Sequence, residues 1–266
     1  MEVNSRPTNL IDHAIAARHP VIYVATWEEE RVASMLVNAS RTLFSGRLSV
    51  RLWSAAQGFS SGPGSELNLL DPVEAIRFAI NSPENAIYLM KDLPALFEQH
   101  PALARAVRDA YDTFASRPGA LVLCHPATII PPMISKEVYL IELPLPKPLE
   151  LRGLLQRLTQ EAGLESKLGA AWLDQVAHAM RGLTANQTRD LFRRLISESA
   201  LDAQLALRWI QRARAQVLMK EDCLEVVQEK LDIKQIGGLE KLKTWTLNRR
   251  ALFSKEAREA NIKAPS

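Results

Sequence analysis

Five short apolar runs, each rich in β-branched or aromatic residues, constrain this chain more than any other feature. They are Val21–Ala25, Leu48–Trp53, Ala86–Met90, Ala120–Cys124 and Val138–Ile141. Runs of this length suit strands that are covered on both faces. Between them lie longer segments with apolar residues at helical spacing. Val32, Met35, Leu36, Ala39 and Leu43 form one such stripe, and Leu103, Ala106, Val107, Ala110 and Phe114 form another. Repeated strand, helix, strand predicts an α/β domain with a five-stranded, mostly parallel sheet and right-handed crossovers.

The character changes at Leu143-Pro144-Leu145-Pro146-Lys147-Pro148, where three prolines exclude continued helix or strand and mark a stiff linker. Beyond it the pattern is helical, with helices expected near 148–163, 168–181, 185–201 and 203–229. Thr184 is placed to cap the third. A second shift falls near Lys230. The segment 230–266 has nine basic and four acidic residues, so it carries +5 of a net charge of +3 and leaves about −2 for the rest. The expected organisation is therefore an α/β domain over 1–146, a small four-helix domain over 147–230 and a basic tail over 231–266.

Composition narrows the function classes. With 47% hydrophobic and 24% charged residues the chain has the balance of a globular protein, and its 266 residues suffice for a sizeable core. Cys124 and Cys223 are far apart and form no CxxC pair, which excludes a disulfide framework or zinc ribbon and fits a reducing cytosol. No stretch reaches about 18 uninterrupted apolar residues, so no membrane partner is expected. The overall charge is too small to call for a nucleic-acid partner.

In an open parallel sheet, ligands collect at the carboxyl ends of the strands, which directs attention to the turn after the first run, Thr26-Trp27-Glu28-Glu29-Glu30-Arg31. A phosphate loop there needs glycines, so that backbone N–H groups can approach the anion, and a lysine; neither is present. Thr26 and Glu29 have the T-x-x-E spacing of a capping box, and three carboxylates at a helix start complement its dipole while repelling phosphate. The spacing favours a structural cap over an acidic metal-binding cluster. Ile87-Tyr88-Leu89-Met90-Lys91-Asp92 has the shape of a Walker B strand, yet places Lys91 where a magnesium-linked acid belongs, and a cation there opposes a metal. The Lys91–Asp92 pair reads as a solvated feature of the strand end.

Other candidates are weaker. Gln57–Ser65 is glycine-rich but lacks the Gly-Lys-Ser/Thr step, and is expected to be a mobile loop. His13, His19, His100, His125 and His178 show no metal-ligand spacing and suit surface or helix-end positions. Cys124, inside an apolar run, suits an inert buried thiol. Arg189, Arg193 and Arg194, with Arg208 and Arg212 on the next helix, suggest a solvated basic face, with phosphate or partner contact as the alternative.

The ordered set Tyr23-Val24-Ala25-Thr26-Trp27-Glu28-Glu29-Glu30-Arg31, Trp53-Ser54 followed by Gly58, Asp71-Pro72, Leu89-Met90-Lys91-Asp92, Ile130-Pro131-Pro132 and Leu143-Pro144-Leu145-Pro146 resembles a known family. It is similar to the amino-terminal half of AAA ATPases of the hypothetical chloroplast reading frame forty-six type, found in cyanobacteria, other bacteria and algal plastids. The resemblance implies a P-loop or AAA-like sheet without a functional P-loop, then a helical lid, then the start of an active AAA domain. Ile236-Gly237-Gly238-Leu239-Glu240-Lys241-Leu242-Lys243 is similar to the segment that opens such a domain, where the Ile236–Gly237 step would lie against adenine. Ala264-Pro265-Ser266 falls before the position of the Gly-rich Lys-Ser/Thr loop.

Thr26, Glu28, Glu29, Lys91 and Asp92 then mark a degenerate nucleotide site. ATP and magnesium belong to the complete family protein, and no catalytic residue, metal or cofactor is expected in this chain. The resemblance implies a non-hydrolysing regulatory or assembly role, with the downstream AAA domain and further copies as partners, in the cytoplasm or plastid stroma. The alternative is a clamp-loader-like, P-loop-free subunit in a DNA-linked complex. A third, collar-like helical domain is missing for that reading, and the basic residues gather in the tail. The tail helix is expected from about Leu239 to Asn261, with Leu242, Trp245, Leu252 and Phe253 as its apolar stripe.

Overall fold

A computed structural model describes residues 9–60, 68–198, 201–218 and 237–250. The chain divides into two compact units, Met1–Arg214 and Ala215–Ser266. In the first, the strands are β1 (Val21–Ala25), β2 (Ser49–Ser54), β3 (Gly58–Ser60), β4 (Ala86–Lys91), β5 (Ala120–His125) and β6 (Val138–Glu142). They form one sheet in the order β3-β2-β4-β5-β1-β6. All neighbours are parallel except β3, which runs antiparallel to β2.

The sheet thus has six strands among the described residues rather than the expected five. The additional one lies within the stretch read as a loop. Gly58 adopts φ +70°, a left-handed conformation that a glycine enters without steric cost, and turns the chain back so that Phe59 pairs with Trp53. Phe59 is buried, with its ring 5.1 Å from that of Phe78. Three residues are too few to show a period, so packing rather than pattern makes this strand.

The five apolar runs are strands, but only β1, β4 and β5 are covered on both faces; β2 is mostly half-buried, and at the sheet edge Tyr139 and Leu140 of β6 are exposed. Period two sorts the side chains of the central strands. Val21, Tyr23, Tyr88, Met90, Leu121 and Leu123 face one core, against α3 (Pro72–Asn81) and α4 (Pro101–Ser116). Ile22, Val24, Ile87, Leu89, Val122 and Cys124 face the other, against α1 (Leu10–Ala16) and α2 (Glu29–Phe44). Local chemistry sets the helix starts. Asn9 accepts from the N–H of Asp12, and Asp71 accepts from that of Glu74, with Pro72 at the first helical position.

After the proline linker come α5 (Pro148–Glu161), α6 (Ala170–Ala179), α7 (Ala185–Ser197) and α8 (Ala203–Leu218). Thr184 caps α7 as expected: its hydroxyl accepts from Gln187 N–H, while the Gln187 side chain accepts from Thr184 N–H. The remainder of the fourth expected helix, 219–229, lies outside the described residues.

In the second unit, α9 (Glu240–Arg250) carries exposed Leu242, Trp245 and Leu247, with the Arg249 guanidinium 4.1 Å from the centre of the Trp245 ring. Residues 251–261 of the expected tail helix, including Leu252 and Phe253, lie outside the described residues.

Candidate functional site

Backbone hydrogen bonds hold the turn after β1 at the carboxyl edge of the sheet. Thr26 N–H donates to the His125 carbonyl at 3.2 Å, and Leu143 N–H donates to that of Ala25 at 3.2 Å. The turn is therefore fixed to both flanking strands, at the place where an open parallel sheet receives ligands.

Helix α2 starts at Glu29, and this changes the role of Thr26. Its hydroxyl accepts from Glu28 N–H at 3.1 Å, a local turn contact, and the residue preceding the helix makes no side-chain cap. The expected capping box is absent because Glu29 is the first helical residue rather than the third. Its carboxylate instead meets Lys91 Nζ at 3.2 Å.

The three carboxylates of the turn each have an assigned cation or donor. Glu28, only 4% exposed, pairs with Arg31 at 2.8 Å and accepts from the backbone N–H of Ala185, the first residue of α7. A buried carboxylate at that helix start opposes the partial positive charge of the α7 dipole. Glu30 pairs with Arg189 of α7 at 3.1 Å. Arg31 continues the chain of contacts, donating to the Pro144 carbonyl at 2.7 Å and to both oxygens of Glu150 at 3.1 and 3.2 Å. The Glu150 carboxylate also accepts from Lys147 N–H at 2.8 Å, at the start of α5. One short acidic turn thus ties the sheet to α7, to the linker and to α5.

Lys91 and Asp92 do not act as a solvated pair with each other. While Lys91 turns to Glu29, Asp92 adopts φ +52° and pairs with His125 Nδ1 at 2.8 Å. The left-handed conformation is one that Asp tolerates better than most side chains. Ligand spacing gives no reason to single out His125. Its partner is adjacent in the sheet and not in the chain, a signal available only by aligning the ends of β4 and β5.

Beneath this edge Cys124 is fully buried, and its thiol is pushed up to about 12 by burial first and then by the charges of Glu29 and Asp92. That is the chemistry of an inert thiol. Burial likewise raises Tyr23, whose hydroxyl donates to the Ala127 carbonyl at 2.6 Å and accepts from Ile129 N–H at 3.2 Å.

The arginines read as a basic face are partly consumed in contacts. Arg189 is bound by Glu30, Arg193 lies 3.6 Å from Asp190, and Arg194 and Arg212 lie 4.6 and 5.8 Å from the centre of the Trp209 ring. Gly237 is exposed in the second unit, while Ile236 lies outside the described residues. No group of three or more side chains suited to hold a metal occurs among the described residues.

Residues 8–143 match the family model of the N-terminal domain of SpoVK-like AAA ATPases. The chain belongs to this family. It is 27% identical over 256 residues to the AAA domain-containing protein ycf46 of Guillardia theta, covering 94% of this chain and 49% of that protein. To the ycf46 protein of Pyropia yezoensis it is 23% identical over 254 residues, covering 94% of this chain and 51% of the other. The chain therefore spans about half the length of these relatives.

Solved structures share the fold. Domain III of the Thermotoga maritima replication initiation protein DnaA superposes with a TM-score of 0.51 at 12% identity, over 79% of this chain and 93% of that one. A chain of the Escherichia coli MS115-1 HORMA:CdnC:Trip13 complex gives 0.52 at 15% identity, over 78% of each chain. A single-residue variant of Thermotoga maritima RuvB gives 0.51 at 14% identity, over 78% of this chain and 65% of that one. The sheet with its flanking helices is thus that of an AAA or P-loop ATPase domain, and the family resemblance read from the motifs holds.

Proposed function

We propose that this chain acts as a non-hydrolysing regulatory and assembly part of an AAA-family ATPase, in which the acidic turn replaces the nucleotide as the tie between the sheet and a helical lid. The observation that carries this reading is the Glu28 carboxylate, buried between Arg31 and the Ala185 N–H. In a domain that bound ATP, the phosphates would occupy the start of α2 and draw the flanking elements together. Here the chain supplies its own anions at that position.

ATP and magnesium do not fit the residues present. The α2 start has no glycine loop, it already carries Glu28, Glu29 and Glu30, and the nearby cation Lys91 is neutralised by Glu29. The nucleotide chemistry is accordingly proposed to reside in a complete family protein, with the downstream AAA domain and further copies of the chain as partners, in a cytoplasmic or plastid compartment. Exposed apolar residues support an interface role: Trp27, Leu145 and Leu149 lie in or beside the acidic turn and the linker, and Leu239, Leu242 and Trp245 in the second unit. No helix among the described residues is long and apolar enough to cross a membrane.

Calorimetric titration of the 266-residue chain with Mg-ATP tests the proposal. The expected result is no saturable heat up to millimolar nucleotide. A saturable heat in the micromolar range, weakened by a substitution at Lys91 or Asp92, would overturn it.

A further inference from the structure

The α6–α7 turn and α8 enclose a cleft of about 540 Å³ lined by His178, Ala179, Arg181, Gly182, Leu207, Ile210, Gln211 and Arg214. None of its lining residues belongs to the acidic turn. The α8 contributions are spaced i, i+3, i+4 and i+7, so they form one stripe of that helix. Ile210 is fully buried and Leu207 half-buried, giving the cleft an apolar floor, while His178, Arg181, Gln211 and Arg214 are exposed around it.

Among the described residues the charge around this cleft is one-sided. No carboxylate lines it among the described residues. Elsewhere in the helical segment Arg152 faces Asp174, Arg189 faces Glu30 and Arg193 faces Asp190. Arg181 and Arg214, by contrast, have no ion-pair partner among the described residues. With no counter-charge at the cleft among the described residues, two like charges there repel each other, and a bound oxyanion removes that repulsion while accepting paired N–H bonds from the guanidinium forks. The volume lies within the roughly 300 to 1,000 Å³ of small-ligand sites, which place a few polar groups over an apolar lining.

We propose that this cleft is a binding site for an organic oxyanion, a carboxylate or phosphate carried on an apolar body, with Arg181 and Arg214 holding the head group and Leu207 and Ile210 contacting the body. It stands apart from the assembly role, since it uses no residue of the acidic turn.

The test is calorimetric titration of the full chain with octyl phosphate, octanoate, inorganic phosphate and 1-octanol. One or both octyl anions should saturate, and whichever binds more tightly identifies the head group. Inorganic phosphate and 1-octanol should each bind weaker by about tenfold or more, since each lacks half of the recognised chemistry. The double variant Arg181→Gln/Arg214→Gln should lose about tenfold or more in affinity for the octyl anion while keeping the melting temperature, both side chains being exposed. Methyl resonances of Leu207 and Ile210 should shift on titration, and those of Leu145 and Leu149 should not. The proposal is overturned by no saturation with either octyl anion, by equal binding of inorganic phosphate, by unchanged affinity in the double variant, or by shifts confined to Leu145 and Leu149.

Discussion

Glu28→Ala is the substitution that most directly probes how the helical segment is held to the sheet. The carboxylate is 4% exposed and makes two charge-assisted contacts, one with Arg31 and one with the N–H of Ala185. A hydrogen bond to a charged group is worth about 1.5 to 3 kcal/mol, and a buried donor left without its acceptor costs about 1 to 3 kcal/mol. Arg31 is not stranded, because it retains Glu150 and the Pro144 carbonyl. The Ala185 N–H loses its acceptor at the start of α7. The expected loss is therefore about 2 to 3 kcal/mol, below the roughly 3 to 5 of a broken, fully buried pair.

Glu28→Gln can still accept from Ala185 but gives up the charge, and should cost about 1 kcal/mol. For a unit of this size each kcal/mol lowers the melting temperature by roughly 2 to 4 °C, so Glu28→Ala should melt about 4 to 12 °C lower. Urea unfolding should report a shifted midpoint at constant slope, and amide exchange should report loss of protection at the start of α7 before any loss in β1, β4 or β5. If Glu28→Ala changes the midpoint by less than the equivalent of about 0.5 kcal/mol, or if protection is lost equally across the sheet and α7, the acidic turn is not the tie that this reading requires.

Gly119→Ala should destabilise by about 2 to 4 kcal/mol, since Gly119 has φ +144° and an added Cβ would lie 2.6 Å from the Ala86 carbonyl oxygen, a backbone atom that cannot rotate away. A urea midpoint within error of the parent protein would refute this. In a Cys223→Ser background, the Cys124 thiol should resist alkylation at neutral pH and titrate near 12 in the folded chain against 9.0 unfolded. The folded state then holds this proton more tightly, so the contribution is complete below pH 9, declines as pH rises and is lost through about 12. Adding Cys124→Ala should flatten the loss of stability above pH 9; an unchanged slope would count against the assignment.

Much of this protein is legible in its sequence. Apolar runs such as Ala86–Met90 and Ala120–Cys124 read as strands buried on both faces, because they are apolar throughout and short for a helix. The proline linker, the Thr184 cap and the inert Cys124 follow from local chemistry, which a sequence records directly. The motif order from Tyr23 to Pro146 likewise points to the AAA family.

Tertiary structure decided what depends on which residues meet. β3 exists because Phe59 finds a place against Trp53 and Phe78, and nothing within its own three residues requires it. The Thr26 to Arg31 turn carries the spacing of a local cap, but a start of α2 at Glu29 frees its carboxylates for other elements. Glu28 reaches 157 residues along the chain to Ala185, Glu30 reaches 159 to Arg189, and Arg31 reaches 119 to Glu150. Spacing arguments see only neighbours along a helix or strand, so a polar network closed over such separations is invisible to them. For the same reason the sequence shows only that the turn has no glycine loop, while the assembled sheet and helices show which elements its acidic residues hold.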